Sequence, residues 1–187
     1  RIIMSEIYSI LEKDDFITTL KETSVDKTKK TDEDGRYMTM STIQAINFDD
    51  VKDFYVKDLA VPLVPKSNDA LVVVSDSEAY FVEFKNGEID ISKNYQIKIK
   101  IYDSLLLLLD LIEKNISFSR ENLHYILVYN EEKNYMSASF GNILEGRANI
   151  QILKEILSEY EKTLVDKILF MSKTDFEEFY LKKYYRD

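Results

Sequence analysis

Residues 68–85, NDALVVVSDSEAYFVEFK, decide the fold of this chain. Asp69–Ser75 and Glu78–Lys85 are rich in Val and aromatic residues, and the turn formers Asp76 and Ser77 lie between them. That pattern predicts two strands joined as an antiparallel hairpin. On the second strand, Phe81, Glu83 and Lys85 share one face while Tyr80, Val82 and Phe84 share the other. Both faces are apolar in the middle, so the strand is expected to be central and covered. Two charges on one face of such a strand then need a reason, because burying an ion is costly unless it is paired or bound to metal.

Turn parity sharpens the point. With an odd number of loop residues, for example Ser75 to Ser77, Asp69 falls opposite Glu83 on the same face. Cβ atoms of such neighbours lie roughly 5 Å apart, and like charges there repel. A divalent cation between the carboxylates would turn that penalty into the purpose of the site. A two-residue loop would instead put Asp69 on the face of Phe84. Two carboxylates and the peptide carbonyl of Phe84 suit Mg²⁺ or Mn²⁺ and leave positions open for water and a phosphate oxygen. Lys85 points the same way as Glu83. It is placed to orient or deprotonate an attacking water, or to stabilise phosphate charge.

Asp69, then Glu83-Phe84-Lys85 at the end of the next strand, then a long helix, resembles the PD-(D/E)XK nuclease superfamily. The resemblance covers roughly Pro65 to Tyr129. It implies a restriction-endonuclease-like α/β fold, a mixed β-sheet flanked by helices on both faces. It also implies metal ligation by Asp69 and Glu83 and assistance to hydrolysis by Lys85. The residue before the first Asp is often Pro in that family; here it is Asn68, with Pro65 earlier. Some exonuclease branches add Gln-x-x-x-Tyr in the following helix, which makes Gln96 a candidate catalytic helper, although Lys100 stands where Tyr would be. Lys98 or Lys100 is an alternative phosphate contact. Members often recruit another acid from the first helix, and Glu6, Glu12 and Glu22 are the candidates.

Outward from this stretch, Ser5 to about Leu20 reads as an amphipathic helix with Ile7, Ile10, Leu11, Ile17 and Leu20 at helical spacing. Thr23–Gly35 has Val25 as its one apolar residue and reads as an exposed, mobile loop. Met38–Phe48 is ambiguous between strand and helix. Phe48 to about Leu59 reads as a helix with Phe54, Tyr55 and Leu59 inward. Pro62 and Pro65 around Leu63-Val64 fit an edge strand or an approach loop. A long buried helix is predicted over Ser92–Lys114, then a strand at His124–Tyr129 and a loop through Gly146. Ile150–Tyr160 follows as a helix, Lys167–Met171 as a strand, and Asp175–Tyr184 as a final helix. This alternation implies one domain over residues 1–187 with a mixed sheet and helices on its faces. His124 reads as structural. Phe176, Phe179, Tyr180, Tyr184 and Tyr185 read as core rather than base-stacking residues. Lys93, Lys98 and Lys100 with Lys85 read either as a phosphate-facing patch or as a solvated helix face.

Composition narrows the chemistry. The absence of Cys excludes thiolate catalysis, Cys-ligated zinc and disulfide scaffolds, and a single His excludes sites that need two imidazoles. Hydrolysis here would rest on carboxylates, lysine and a hard metal ion. The longest apolar run, Leu105–Leu109, is too short for a bilayer, and no signal peptide opens the chain, so a cytoplasmic protein without membrane partners is expected. Arg1–Ile3 ahead of Met4 are expected to be a cloning remnant or the mark of a fragment. A net charge of −9 opposes non-specific coating of nucleic acid without excluding a local site. Three readings follow: a Mg²⁺-dependent nuclease with DNA favoured over RNA, an inert nuclease-like module with a protein partner, or an unrelated α/β protein with an accidental triad. A homodimer is compatible with each.

Overall fold

A strand apolar on both faces needs a paired strand on each edge and cover above and below. Residues 78–85 find all four in this computed structural model, which describes residues 6–11, 16–31, 35–57, 59, 63–75, 77–134 and 140–180. The elements are α1 (Glu6–Leu11), β1 (Ile17–Thr19), α2 (Leu20–Thr23), β2 (Gln44–Asn47), α3 (Phe48–Val56), β3 (Ala70–Ser75) and β4 (Glu78–Lys85). A 3₁₀ turn (Ile91–Lys93) then leads into α4 (Asn94–Leu111), α5 (Ile116–Asn122), β5 (Leu123–Tyr129), α6 (Glu131–Asn134) and α7 (Phe140–Ser158). The described chain ends with β6 (Lys167–Ser172), the one-turn α8 (Lys173–Asp175) and a π turn at Phe176–Tyr180.

The six strands form one mixed sheet in the order β1-β2-β3-β4-β5-β6. Pairing is antiparallel from β1 to β4 and parallel from β4 to β6. Parallel neighbours need long crossovers, and the α4–α5 and α6–α7 segments supply them. Sequence alternation sorts the strands into two cores. Leu71, Phe81, Tyr125 and Leu127 meet Ile97, Ile101, Leu105 and Leu108 of α4, with Leu153 and Leu157 of α7. Val72, Tyr80, Val82, Ile126 and Val128 meet Leu20, Met38 and Phe176 on the opposite side. The mixed α/β sheet is as expected. Among the described residues the second face is covered by single apolar residues, Leu20 of α2, Met38 and Phe176, and not by a long helix.

Several boundaries differ from expectation. The described part of the first helix is Glu6–Leu11, and the expected helix does not extend to Leu20 because Ile17-Thr18-Thr19 pair with Gln44–Ile46, as β-branched residues suit a strand. In α3 the buried residues are Phe48 and Val51, while Phe54 and Leu59 are exposed. Tyr55 is partly buried against the core, as expected. Leu63 and Val64 are exposed and form no strand, and Pro62 lies outside the described residues. Gly146 sits inside α7 rather than in a loop. A Cβ there would lie 1.4 Å from the Asn134 carbonyl oxygen, so glycine is required where α7 crosses the backbone of α6. Residues 181–187, with Tyr184 and Tyr185, lie outside the described residues; Phe176 is core. No helix among the described residues is long and apolar enough to cross a membrane.

His124 takes a structural place on β5. It stacks on Tyr80 with centroids 4.6 Å apart, and its Nδ1 lies 3.3 Å from Asp166 Oδ2 without a hydrogen bond. Burial holds the imidazole below its ordinary value of 6.5, against the opposing pull of Asp166. The unfolded chain therefore binds the proton more readily, and this group's contribution to stability is present above 6.5 and lost as pH falls from there through the lower folded value. Denaturant melts of wild type and His124→Gln between pH 5 and 8 should show a smaller acid-side decline in the variant. Parallel curves would assign that decline to other groups.

Candidate functional site

Strand register decides whether the two acids can meet. Leu71 pairs with Phe81 and Ala70 with Val82, and one further step puts Asp69 opposite Glu83. The turn that achieves this differs from the odd loop expected. Ser75 pairs with Glu78, so two residues close the turn, and an irregularity between Val73 and Ser75 shifts the register by one. A bulge adds one residue to one strand, which restores the parity that a two-residue loop alone would break.

Asp69 lies just ahead of β3, and its carboxylate continues the strand's hydrogen bonding to β4. Oδ2 accepts a 2.7 Å hydrogen bond from the Phe84 amide. Within an extended residue N–H and C=O face the same strand edge, so the Phe84 carbonyl faces the edge on which Asp69 sits. The neighbouring Lys85 carbonyl faces the other way and accepts from the Asn130 amide at 3.0 Å. Glu83 points into the α4 side of the sheet and is 1% exposed.

Lys100 of α4 joins the two acids. Its Nζ donates to Glu83 Oε1 at 2.7 Å, to Glu83 Oε2 at 2.8 Å and to Asp69 Oδ1 at 3.3 Å. Lys85 stands further back, with Nζ 3.6 Å from Glu83 Oε1 and its side chain 33% exposed. Burial, then the charge of Asp69, pushes the Glu83 carboxyl up to about 7 although both lysines pull it down. Burial likewise raises Asp69; burial pulls the Lys100 ammonium down, and the two carboxylates together outweigh it and hold the ammonium above its ordinary value. Tyr125 lies under the pair. Its hydroxyl is fully buried and has no hydrogen-bond partner among the described residues, and burial plus the two carboxylates push it well above the usual tyrosine range.

The same helix sets the approach of Asp69. Asp103 Oδ2 accepts from the Lys66 amide at 2.7 Å and the buried Ser104 hydroxyl accepts from the Asn68 amide at 2.8 Å. Helical spacing offered a signal for Lys100. Ile97, Ile101, Ser104, Leu105 and Leu108 form the inward stripe of α4, and Lys100 lies three residues from Ile97 on its edge. Lys98 points elsewhere, its Nζ 5.8 Å from the Tyr160 ring centroid, and Lys93 pairs with Asp90 at 3.0 Å. Of the two readings of these lysines, the phosphate-facing patch is dispersed, and Lys93 pairs with an acid of the surface as in the other. Gln96 shares a small cleft with Lys85, and its side-chain amide reaches the Tyr95 hydroxyl at 3.4 Å rather than either acid.

In front of Asp69 opens a cleft of about 490 Å³. Glu22, Asp26, Asp49, Asp69 and Glu88 line it against Lys27 and Lys85. Of the proposed N-terminal acids Glu22 reaches this cleft, Glu6 opens α1, and Glu12 lies outside the described residues. Residues 24–31 and 35–36 are irregular, as expected, yet they are tied down as a wall of the cleft. Asn86 Nδ2 donates to Asp26 Oδ2 and to the Gly35 carbonyl, each at 3.0 Å. Asp49 was not anticipated, because an acid in the first turn of α3 reads as ordinary helix-end electrostatics. It accepts from the Ser67 hydroxyl, and its charge adds to the upward push on Asp69.

Among the described residues no group of three or more His, Cys, Asp or Glu side chains is placed to hold a metal ion. Two carboxylates and one carbonyl remain. That set suits Mg²⁺, which is commonly held by one or two carboxylates and keeps several waters. No family model, curated protein or solved structure matches this chain. The reading of the site therefore rests on its own chemistry.

Two substitutions separate support from passive filling. Ser104→Ala strands the buried Asn68 amide and should cost about 1–3 kcal/mol in chemical denaturation. Tyr125→Phe removes a buried hydroxyl that has no partner among the described residues, so it should leave stability unchanged or raise it by up to about 1 kcal/mol. A marked loss for Tyr125→Phe would mean that the hydroxyl is bonded.

Proposed function

We propose that this chain is a divalent-metal-dependent phosphodiesterase acting on nucleic acid, DNA before RNA, on a restriction-endonuclease-like scaffold. The observation that carries the reading is the convergence of Asp69 and Glu83 on one cation, Lys100 Nζ, with Lys85 beside them at an open cleft. Two acids that grip a common cation in an apolar sheet are poor value as stabilisers, since a hydrophobic pair of similar volume would serve as well. They are good value as ligands.

Asp69 Oδ1, the Glu83 carboxylate and the Phe84 carbonyl would hold Mg²⁺ or Mn²⁺. When bound, the metal would supply Lewis-acid polarisation of a phosphate oxygen and a more acidic water. The protein's own contribution is positional. The Phe84 amide fixes one Asp69 oxygen, Ser104 and Asp103 anchor the chain that delivers Asp69, and Lys85 lines the cleft, where it would meet water and phosphate. The site lies at the carboxyl end of β4, which is antiparallel to β3 and parallel to β5. In open α/β sheets, ligand crevices form at the carboxyl ends of strands.

Five acids against two lysines in the cleft favour a second reading, an inert nuclease-like module that binds a protein. One set of assays separates the two. Supercoiled plasmid and single- and double-stranded DNA and RNA oligonucleotides are incubated with Mg²⁺ or Mn²⁺. Cleavage by wild type should fall about a hundredfold or more in Glu83→Gln and in Lys85→Ala, the usual cost of losing a ligand or a general acid–base group. Absence of cleavage on every substrate, with no Mn²⁺ heat in calorimetry, overturns the phosphodiesterase in favour of the binding module.

A further inference from the structure

The geometry points to Lys100 as a built-in cation that occupies the metal seat, so that metal loads by expelling it. This rests on the metal-dependent reading above and concerns how that site is regulated.

An ammonium has three protons and no acceptor, and among the described residues the three hydrogen bonds of Lys100 go to carboxylate oxygens, two on Glu83 and one on Asp69. The Phe84 amide holds Asp69 Oδ2, which leaves Oδ1 as the Asp69 oxygen turned toward a cation. Lys100 takes that atom. A divalent ion would need these same oxygens at about 2.0–2.1 Å for Mg²⁺, inside the gap the ammonium fills. Two adjacent cations sharing one pair of carboxylates repel, so binding is an exchange rather than an addition.

Lys85 does not lock the seat in this way. It approaches one Glu83 oxygen at 3.6 Å and reaches toward solvent. The two lysines thus divide the work, with Lys100 holding the acids together before loading and Lys85 serving the open cleft. A lysine suits an exchangeable lock, because its point charge rides on a flexible stem, whereas an arginine fork would bind both carboxylates more rigidly. The apparent metal affinity is then the intrinsic affinity reduced by the fraction of molecules in which Lys100 has left.

Isothermal titration with Mn²⁺ compares wild type, Lys100→Met and Lys85→Met. Lys100→Met should bind about ten- to hundredfold more tightly, the worth of the charge-assisted bonds that no longer need breaking. Lys85→Met removes an equal charge outside the seat and should tighten binding by about threefold or less. Equal tightening in both variants, or none in Lys100→Met, overturns the lock while leaving a metal-binding site in place. No binding by any of the three overturns the metal reading and the lock together. Should Lys100→Met fail to fold, nitrogen-detected NMR of the Lys100 ammonium in wild type decides. Its exchange-protected signal should disappear or shift on saturation with Mg²⁺, and an unchanged signal with Mg²⁺ bound overturns the lock.

Discussion

The structure turns on one buried electrostatic arrangement, the ammonium of Lys100 held between the carboxylates of Asp69 and Glu83. Neither acid would be tolerable alone. Glu83 is enclosed by the sheet and α4, and Asp69 sits one strand away with the same sign of charge. Both are pushed toward protonation by burial. Lys100 offsets one of the two negative charges, and the Phe84 amide adds a hydrogen bond to Asp69. With Lys85 standing 3.6 Å from Glu83 as well, two acids and two ammonium groups meet at the edge of an apolar layer.

That arrangement places demands on the rest of the fold. Helix α4 must lie against β4 with its Ile and Leu stripe inward, so that Lys100 arrives at the stripe's edge. The same helix must grip the chain ahead of β3, which Asp103 and Ser104 do through the amides of Lys66 and Asn68. The sheet must place β3 beside β4 with Asp69 in step with Glu83. Helix and hairpin are thus fastened at two points about one turn apart on α4, the ion cluster and the Ser104–Asn68 bond. The irregular 24–36 segment closes the front, tied through Asn86 to the end of β4.

The acidic cleft gives the site its character. Five carboxylates beside two lysines make a field that repels phosphodiesters and concentrates cations. Nucleic acid would approach such a site with cations already gathered there, and the net charge of −9 extends the same field over the whole surface. A protein partner with a basic surface would feel the opposite force, which keeps the interaction-module reading in view.

Much of this was written in local pattern. The hairpin, the buried β4, the long inward stripe of α4 and the β5 and β6 strands follow from alternation, helical spacing and residue volume, which act over a few neighbours, whereas the pairing of Asp69 with Glu83 hung on the turn. Chain neighbours could not decide the rest. The bulge near Val74 changed the turn from the expected length while keeping the parity. The strand at Ile17–Thr19 exists because β2 lies beside it, and Gly146 belongs to a helix because the Asn134 backbone passes against it. Lys100 reached the centre of the site, rather than a solvated face, because α4 packs on a sheet that carries two acids at that height. Asp49, Asp26 and Glu22 come from three separate segments that the sheet gathers at one cleft. Charges distant in sequence interact through space and burial, and only the folded chain sets both.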